Sequence, residues 1–367
     1  MKITVVPANR LTDADLARWS EMQQADPSLW SPCFRPEFVE AVAALRSDVE
    51  VGVLEEPGQV CGFFPFQRGR WKIGRPVGEP LSDFHGVIAR AGVAWSAEEL
   101  VRGCGLNAWR FDHLPADQPP FCSHCRAETP SPWVDLSRGF DAYRQQRERA
   151  GSGEVARIER IRRVAERQVG PVRFEFHSTD DRVFDTLLRW KSQQYRRTRY
   201  VDVLAFPWVV GLLDRIRRRQ GEAFSGLLSA LYLGDRLAAV HLGMRSYGVL
   251  HYWFPAYDPE LGRHSPGLIC FLEIAKAAAS LGVQRIDLGK GLEPYKTRLM
   301  SDASVVAEGS VTCQPVLRAI ERAAQGGRRL ARLPLLGAPA RLAAMVTRPV
   351  RRWMTFRGHV RCVERHP

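Results

Sequence analysis

Lysine is scarce in this chain. Six of the 53 basic residues are lysines, at positions 2, 72, 191, 276, 290 and 296. That bias toward arginine points to a GC-rich genome more than to selection for guanidinium chemistry. It also makes each lysine conspicuous, and two of the six fall within Lys290–Lys296. Long apolar runs are missing as well. No stretch of about 18 residues is free of charge, so no transmembrane helix is expected. The opening Met1–Pro7 is too short for a signal-peptide core and reads as a first strand. A cytoplasmic location follows as the expectation, with the inner face of the membrane as a peripheral option. The eight cysteines are scattered, several of them inside apolar runs, and without a secretory signal no disulfide framework is expected. Only Cys122-Ser-His-Cys125 has ligand-like spacing. With His113 it could hold zinc, but there is no second CxxC, so an ordinary loop is expected and no metal is assigned. HExxH, a paired-carboxylate signature, a Ser-His-Asp order and a P-loop are all missing.

What is present is ordinary for a folded protein: 45% hydrophobic and 25% charged residues. A length of 367 residues predicts about two domains. Charge is unevenly placed. Residues 316–367 hold twelve arginines, no lysine and two acids, Glu321 and Glu364, which is +10 of the net +13. This basic, amphipathic tail suits an anionic membrane surface or RNA, or it packs back on a nearly neutral body. It lacks the paired exposed aromatics of an RNA-binding sheet.

The chain divides into residues 1–136, linking helices over 137–170, a second unit over 171–315, and the tail. In the first unit Lys2–Val6 is a strand and Thr12 caps a helix through about Gln24, with Asp13 and Asp15 in its first turn. Pro36–Arg46 is a helix. Val49–Glu55 and Val60–Gln67 form a hairpin, Ser96–Gly103 a helix and Ala108–His113 a strand. Residues 115–132, with five prolines, read as a connection into a strand at Trp133–Leu136. The arginine face of the linking helix (Arg157, Arg160, Arg162, Arg163, Arg167) reads as a solvated surface rather than as an anion site. Val172–His177 is a strand. Thr179 caps a helix that sets Lys191 and Tyr195 on one face, and Trp190 and Gln194 together on another.

Residues 225–300 organise the second unit. Two alternating runs flank Gly234-Asp235, a tight-turn dipeptide, and a third run covers Val249–Ala256. Pro266-Gly267 opens an apolar helix ending at Gly282, and Gln284–Leu288 is a short buried strand. Four sites carry chemistry. The helix start at Arg263-His264-Ser265-Pro266-Gly267-Leu268 suits a pyrophosphate, because the leading N–H groups of a helix lack internal partners. The same residues also describe a plain Ser-capped helix. The loop Asp287–Lys296 follows a buried strand with Asp287, Lys290, Glu293, Tyr295 and Lys296, and polar clusters there are more often functional than structural. His241, in mid-strand, is a general base or a satisfied structural histidine, and Tyr252 shares that ambiguity. Trp190, Lys191 and Gln194 either face a ligand or anchor a helix.

The order Leu231-Tyr-Leu-Gly-Asp-Arg-Leu-Ala-Ala-Val-His-Leu-Gly243, His251-Tyr-Trp-Phe-Pro-Ala-Tyr-Asp258, Ser265-Pro-Gly-Leu268, Leu281-Gly-Val-Gln-Arg-Ile-Asp-Leu-Gly-Lys-Gly291 and Pro294-Tyr-Lys296 resembles the GNAT-superfamily acyltransferases of the CelD/BcsL type. Those proteins are associated with bacterial cellulose or exopolysaccharide synthesis. The resemblance is good over about 138–312 and weaker over 1–135, where a degenerate GNAT-like first half, as in the related Fem-type peptidyltransferases, is implied. It implies an α/β (α+β) fold of tandem GNAT-like domains, each a mixed, mostly antiparallel sheet flanked by helices. It implies an acyl-CoA co-substrate, no metal, and transfer to an amine of a sugar, an amino acid or a lipid-linked intermediate. Carried over, Arg263, His264, Ser265, Gly267, Leu268 and Tyr252 serve the donor. Trp190, Lys191, Gln194, Lys290 and Glu293 serve the acceptor, and His241, Asp287, Tyr295 and Lys296 serve catalysis. The usual phosphate motif survives only as Arg263-His-Ser-Pro-Gly267. Two alternatives stand beside this: a Fem-type transferase using aminoacyl-tRNA, and a non-catalytic scaffold at the membrane.

Overall fold

The computed structural model describes residues 1–315 and 317–319, so the basic tail assigned to 316–367 lies almost wholly outside the described residues. The first half comprises β1 (Lys2–Pro7), α1 (Asp13–Ala25), α2 (Pro36–Ala43), β2 (Val49–Glu56), β3 (Gln59–Arg68), β4 (Ile73–Arg75), β5 (Ile88–Ala89), α3 (Ala97–Gly103), β6 (Ala108–Pro115) and β7 (Cys125–Asp135). Helices α4 (Phe140–Arg149) and α5 (Glu154–Gln168) lead into the second half. That half comprises β8 (Val172–Glu175), α6 (Asp181–Arg197), α7 (Pro207–Arg218), β9 (Ser225–Leu233), β10 (Arg236–Ser246), β11 (Val249–Tyr257), α8 (Pro266–Ser280), β12 (Arg285–Asp287), α9 (Pro294–Leu299) and β13 (Asp302–Thr312).

The strands form one mixed sheet rather than two, in the order β1-β2-β3-β4-β6-β13-β7-β12-β11-β10-β9-β8, with β5 on β3. Each half is an antiparallel meander closed by one parallel pair, β4 with β6 and β11 with β12. The halves then exchange their last strands. β7 pairs with β12, and β13 lies between β6 and β7. This is a central mixed α/β sheet flanked by helices.

Residues 125–132 are strand, not connection. Pro130 and Pro132 are tolerated because their carbonyls face the loop after β12, accepting from the N–H groups of Gly291 (2.9 Å) and Leu288 (2.9 Å), where no donor is required of them. The Thr12 cap is present as a full capping box with Asp15. The cap of α6 is Asp180, not Thr179; its carboxylate accepts from the Arg182 N–H at 2.8 Å.

Three apolar cores hold the sheet. One, on the face carrying α1, α2, α6 and α7, includes Trp19, Phe38, Leu187, Leu212, Leu242 and Phe254 and is shared by both halves. On the other face α5 and α8 cover the second half through Ile158, Leu250, Tyr252 and Phe271. The third lies under α3, around Phe64, Leu100 and Trp109.

Candidate functional site

The register of β10 and β11 breaks between Leu242 and Met244, which pair with Phe254 and His251 respectively. Tyr252 and Trp253 therefore oppose Gly243 alone, a β-bulge that leaves one backbone position outside the ladder. Glycine is required at 243: a Cβ there would lie 2.5 Å from the His241 ring and 2.8 Å from the His251 carbonyl oxygen. On its other edge β11 meets β12 only over 249–251. Past that point, residues 252–257 have a strand partner on one side only. Pro255, which has no N–H to offer, sits on this stretch.

The chain then passes through a 3-10 turn, Pro259–His264, to Ser265, which is held in the left-handed region at φ 47° and ψ 49°. Pro266 occupies the first position of α8, and no side chain caps the helix. The plain Ser-capped helix is thus not what forms. In the left-handed conformation the Ser265 hydroxyl makes no cap, and its carbonyl accepts from Leu268 and Ile269 instead. With no N–H on Pro266 and those of Leu268 and Ile269 turned to Ser265, the Gly267 N–H and the positive end of the helix dipole remain for an anion.

Between these elements lies a cavity of about 420 Å³. β11 contributes Tyr252, Pro255 and Tyr257. The start of α8 contributes Gly262, Ser265, Pro266, Gly267 and Leu268, with Phe271 one turn on. Lys191 and Gln194 of α6 and Tyr295 of α9 complete it. Because α6 and α8 pack on opposite faces of the sheet, the cavity crosses the sheet where β12 stops. A second cavity of about 190 Å³ adjoins it through Gln194 and Tyr257 and is lined by Trp190 and Arg197.

Lys191 is the cation of the site. Its ammonium donates to the Pro255 carbonyl at 3.1 Å and lies 5.4 Å from the Tyr195 ring centre and 6.0 Å from that of Phe254. No carboxylate pairs with it among the described residues, and burial pushes its pKa down to about 8. Burial, and then the Glu293 carboxylate, push the Tyr295 phenol up. Tyr295 therefore stays a donor at neutral pH.

The cavity gathers Lys191, Gln194, Tyr252, Ser265, Gly267, Leu268 and Tyr295 from the residues singled out in the sequence. The others sit elsewhere. His241 is fully buried behind Tyr252, with the rings stacked at 4.2 Å and 10°. Among the described residues neither of its ring nitrogens has a hydrogen-bond partner. Burial, with the charges of His251 and Lys191, holds its pKa down at about 3. Asp287 is buried and ion-paired with Arg285. Lys296 uses its three protons on the carbonyls of Gly289 (3.1 Å) and Lys290 (2.9 Å) and on Glu293 (2.9 Å), tying the loop to itself. Lys290 donates to the Asp112 carbonyl at 2.8 Å. Arg263 donates to the buried His264 at 3.0 Å, and Trp190 lines the smaller cavity.

Sequence reasoning missed Pro255, Tyr257, Gly262 and Phe271; the proline within an alternating run was the available signal. It also missed a polar seam between the halves. There Asp83 Oδ1 lies 3.1 Å from His113 Nε2 and Asp83 Oδ2 lies 3.2 Å from His251 Nε2. His113 Nδ1 is 3.0 Å from Asp112. Although burial opposes it, these two carboxylates raise the His113 pKa. Nothing in the sequence spacing brings residues 83, 113 and 251 together.

Residues 152–297 match the family model of the acetyltransferase (GNAT) domain, a span that contains every residue of the larger cavity. Among solved structures, FemX is similar in fold, with a TM-score of 0.58 and 11% identity over 88% of this chain and 100% of that one. The C-terminal domain of a proposed lysylphosphatidylglycerol synthetase from Agrobacterium fabrum aligns with a TM-score of 0.53 and 13% identity, over 84% and 94% of the two chains. No curated protein matches by sequence. The protein these features define is an acyltransferase, similar over residues 152–297 to the GNAT acetyltransferase domain and, over most of the chain, to FemX in fold alone.

Proposed function

We propose that this chain transfers an acyl group from acyl-CoA to an amine, with the donor in the 420 Å³ cavity. The observation that carries this reading is the joining, in one cavity, of an uncapped helix start, a bulged strand with an open edge, and an enclosed lysine ammonium. The residues suit the donor. A Cβ at Gly262 would meet only the Tyr257 ring, at 4.0 Å, and one at Gly267 the same ring at 3.4 Å, so the backbone is open to close approach. The Gly267 N–H and the positive end of the α8 dipole receive the pyrophosphate. The free edge of residues 252–257 receives the pantetheine amides as an added strand would be received.

The reaction requires orientation and stabilisation of negative charge on the thioester oxygen as the amine attacks. Lys191 supplies the opposing positive charge from within the cavity, held in place by the Pro255 carbonyl. Tyr295 donates its phenolic proton toward the departing thiolate and takes back the proton that the attacking amine loses as the amide bond forms and the C–S bond breaks. His241 supports Tyr252 from behind and does not touch the reacting atoms. The acceptor is an amine on a sugar, amino acid or lipid-linked intermediate, as in the CelD/BcsL type and its exopolysaccharide setting.

Calorimetric titration with acetyl-CoA and longer acyl-CoAs tests the donor. Saturable binding that weakens in Lys191→Met supports the proposal. No binding of any acyl-CoA, together with transfer that depends on intact tRNA, would replace it by the aminoacyl-tRNA reading.

A further inference from the structure

Trp71 is the most exposed large apolar residue among those described, with 72% of its surface open. A single exposed aromatic is unremarkable by itself. Its backbone is not. Trp71 and Lys72 are consecutive non-glycine residues in the left-handed region, both at φ 56°. Such positions are unfavourable for residues with a Cβ and persist only where surrounding structure enforces them. Nothing in the fold is gained by burying the indole, because it is not buried.

The enforcement is visible. The Gly69 N–H donates to the Ile73 carbonyl at 2.9 Å, closing the turn. Asn107 then clamps it from β6's approach: its Nδ2 donates to the Trp71 carbonyl at 2.8 Å and its N–H to the Lys72 carbonyl at 2.9 Å. Arg70 stands over the Trp71 ring at 5.3 Å, and Lys72 is one of only six lysines. The fold thus holds an indole outward between two cations.

The same clamp marks where the chain leaves the sheet. Cys313 N–H donates to the Asn107 carbonyl at 2.9 Å, and Gln314 Nε2 donates to Asn107 Oδ1 at 3.2 Å. Two residues later begins the segment that carries twelve arginines against two acids, interspersed with leucine, alanine, valine and tryptophan. A presented tryptophan and the densest positive charge of the chain therefore originate at one pole.

We propose that this pole, Arg70-Trp71-Lys72 with the chain leaving at Gln314, docks on an anionic lipid surface. Tryptophan settles at the headgroup boundary, where an amphipathic ring is favoured. The flanking cations Arg70 and Lys72 meet the negative surface potential, and the sequence beyond Gln314 adds twelve arginines to the positive charge of the chain. This surface is independent of the acyl-transfer reading and stands or falls separately.

Co-sedimentation of the full chain with phosphatidylcholine vesicles, with and without phosphatidylglycerol, tests it. The full chain is expected to bind the anionic vesicles and to be released by salt. Trp71→Ala, a surface change that leaves the fold intact, is expected to weaken the partition coefficient about tenfold. Arg70→Gln and Lys72→Gln are expected to cost about fivefold each at low salt. Tyr200→Ala, an exposed aromatic on the other half, serves as the control and should bind as the parent does. Three results would overturn the proposal: no binding to anionic vesicles, Trp71→Ala binding as tightly as the parent, or Trp71-dependent binding of tRNA in place of vesicles.

Discussion

A lysine ammonium enclosed without a carboxylate is held in a costly state that an incoming anionic oxygen relieves. Lys191 is in that state, and its pKa near 8 places its charge change in an accessible range. If the ammonium is what stabilises the transition state, kcat/KM holds below pH 8 and falls as the pH rises through it. Lys191→Met should lower kcat/KM by about 10²–10³. Lys191→Arg should keep part of the activity and move the fall to higher pH, because guanidinium does not deprotonate there. Activity that rises through pH 8 would instead make Lys191 the base. His241 makes the opposite case. Its pKa of about 3 lies below the 6.5 of a free histidine, so the unfolded chain takes up a proton that the folded chain refuses. Its contribution to stability is therefore complete above about pH 6.5 and is lost as the pH falls from there toward 3. His241→Leu should flatten the acid limb of a stability–pH curve measured by urea denaturation, and leave kcat within a few-fold. A thousandfold loss of kcat would return His241 to catalysis. The mid-strand place of His241 is legible from the sequence. Its stacking on Tyr252 is not, because that depends on the bulge at Gly243, and neither is its depth, which depends on α8 packing over β10.

At the scale of elements, the loop between β12 and α9 shows conspicuous lysines engaged by backbone carbonyls. Lys290 and Lys296 stand out by rarity, yet Lys296 holds carbonyls and Glu293 within its own loop. Lys296→Met removes charge-assisted hydrogen bonds from a buried position, and a loss of about 3–5 kcal/mol is expected in thermal or urea denaturation. Below the transition, kcat/KM per folded molecule should fall less than about tenfold, whereas a catalytic ammonium would cost about 10²–10³. The helix start differs because its function is electrostatic and local. Gly267→Glu places a carboxylate against the leading N–H groups of α8 and should raise KM for acyl-CoA with little change in kcat. An unchanged KM would move the pyrophosphate elsewhere. Most helices and the β9–β10–β11 meander were readable because apolar spacing and turn chemistry act within a few residues of one another. β7 was not. Its prolines argue against a strand, and its partners β12 and β13 lie some 150 residues further along the chain, where only the closed sheet shows that the proline edge needs no donor.

For the whole molecule, the exchange of β7 and β13 decides how the chain folds. Residues 1–136 produced alone would leave β6 without β13 and β7 without both neighbours. Residues 137–315 alone would carry β13 with neither β6 nor β7 to receive it. Each piece would present long unpaired edges, which drive aggregation. One apolar core also runs through both halves, so Phe38 of α2 and Trp253 of β11 meet edge to face at 6.4 Å, and the Trp253 indole donates to the Leu81 carbonyl at 2.8 Å. The buried Arg35 of the first half reaches the Tyr247 hydroxyl of the second. A tandem that shares strands and core this way should lose both halves together. Calorimetry on the full chain is expected to give one transition whose calorimetric and van't Hoff enthalpies agree, and the separately produced halves should be insoluble or lack a cooperative transition by circular dichroism. Mixing the two halves during refolding should recover soluble material, because each holds the strand the other needs. Two resolved transitions, or a second half that folds alone, would mean that the exchanged strands are additions to an already stable domain. In that case the first half could be removed without disturbing the cavity around Lys191.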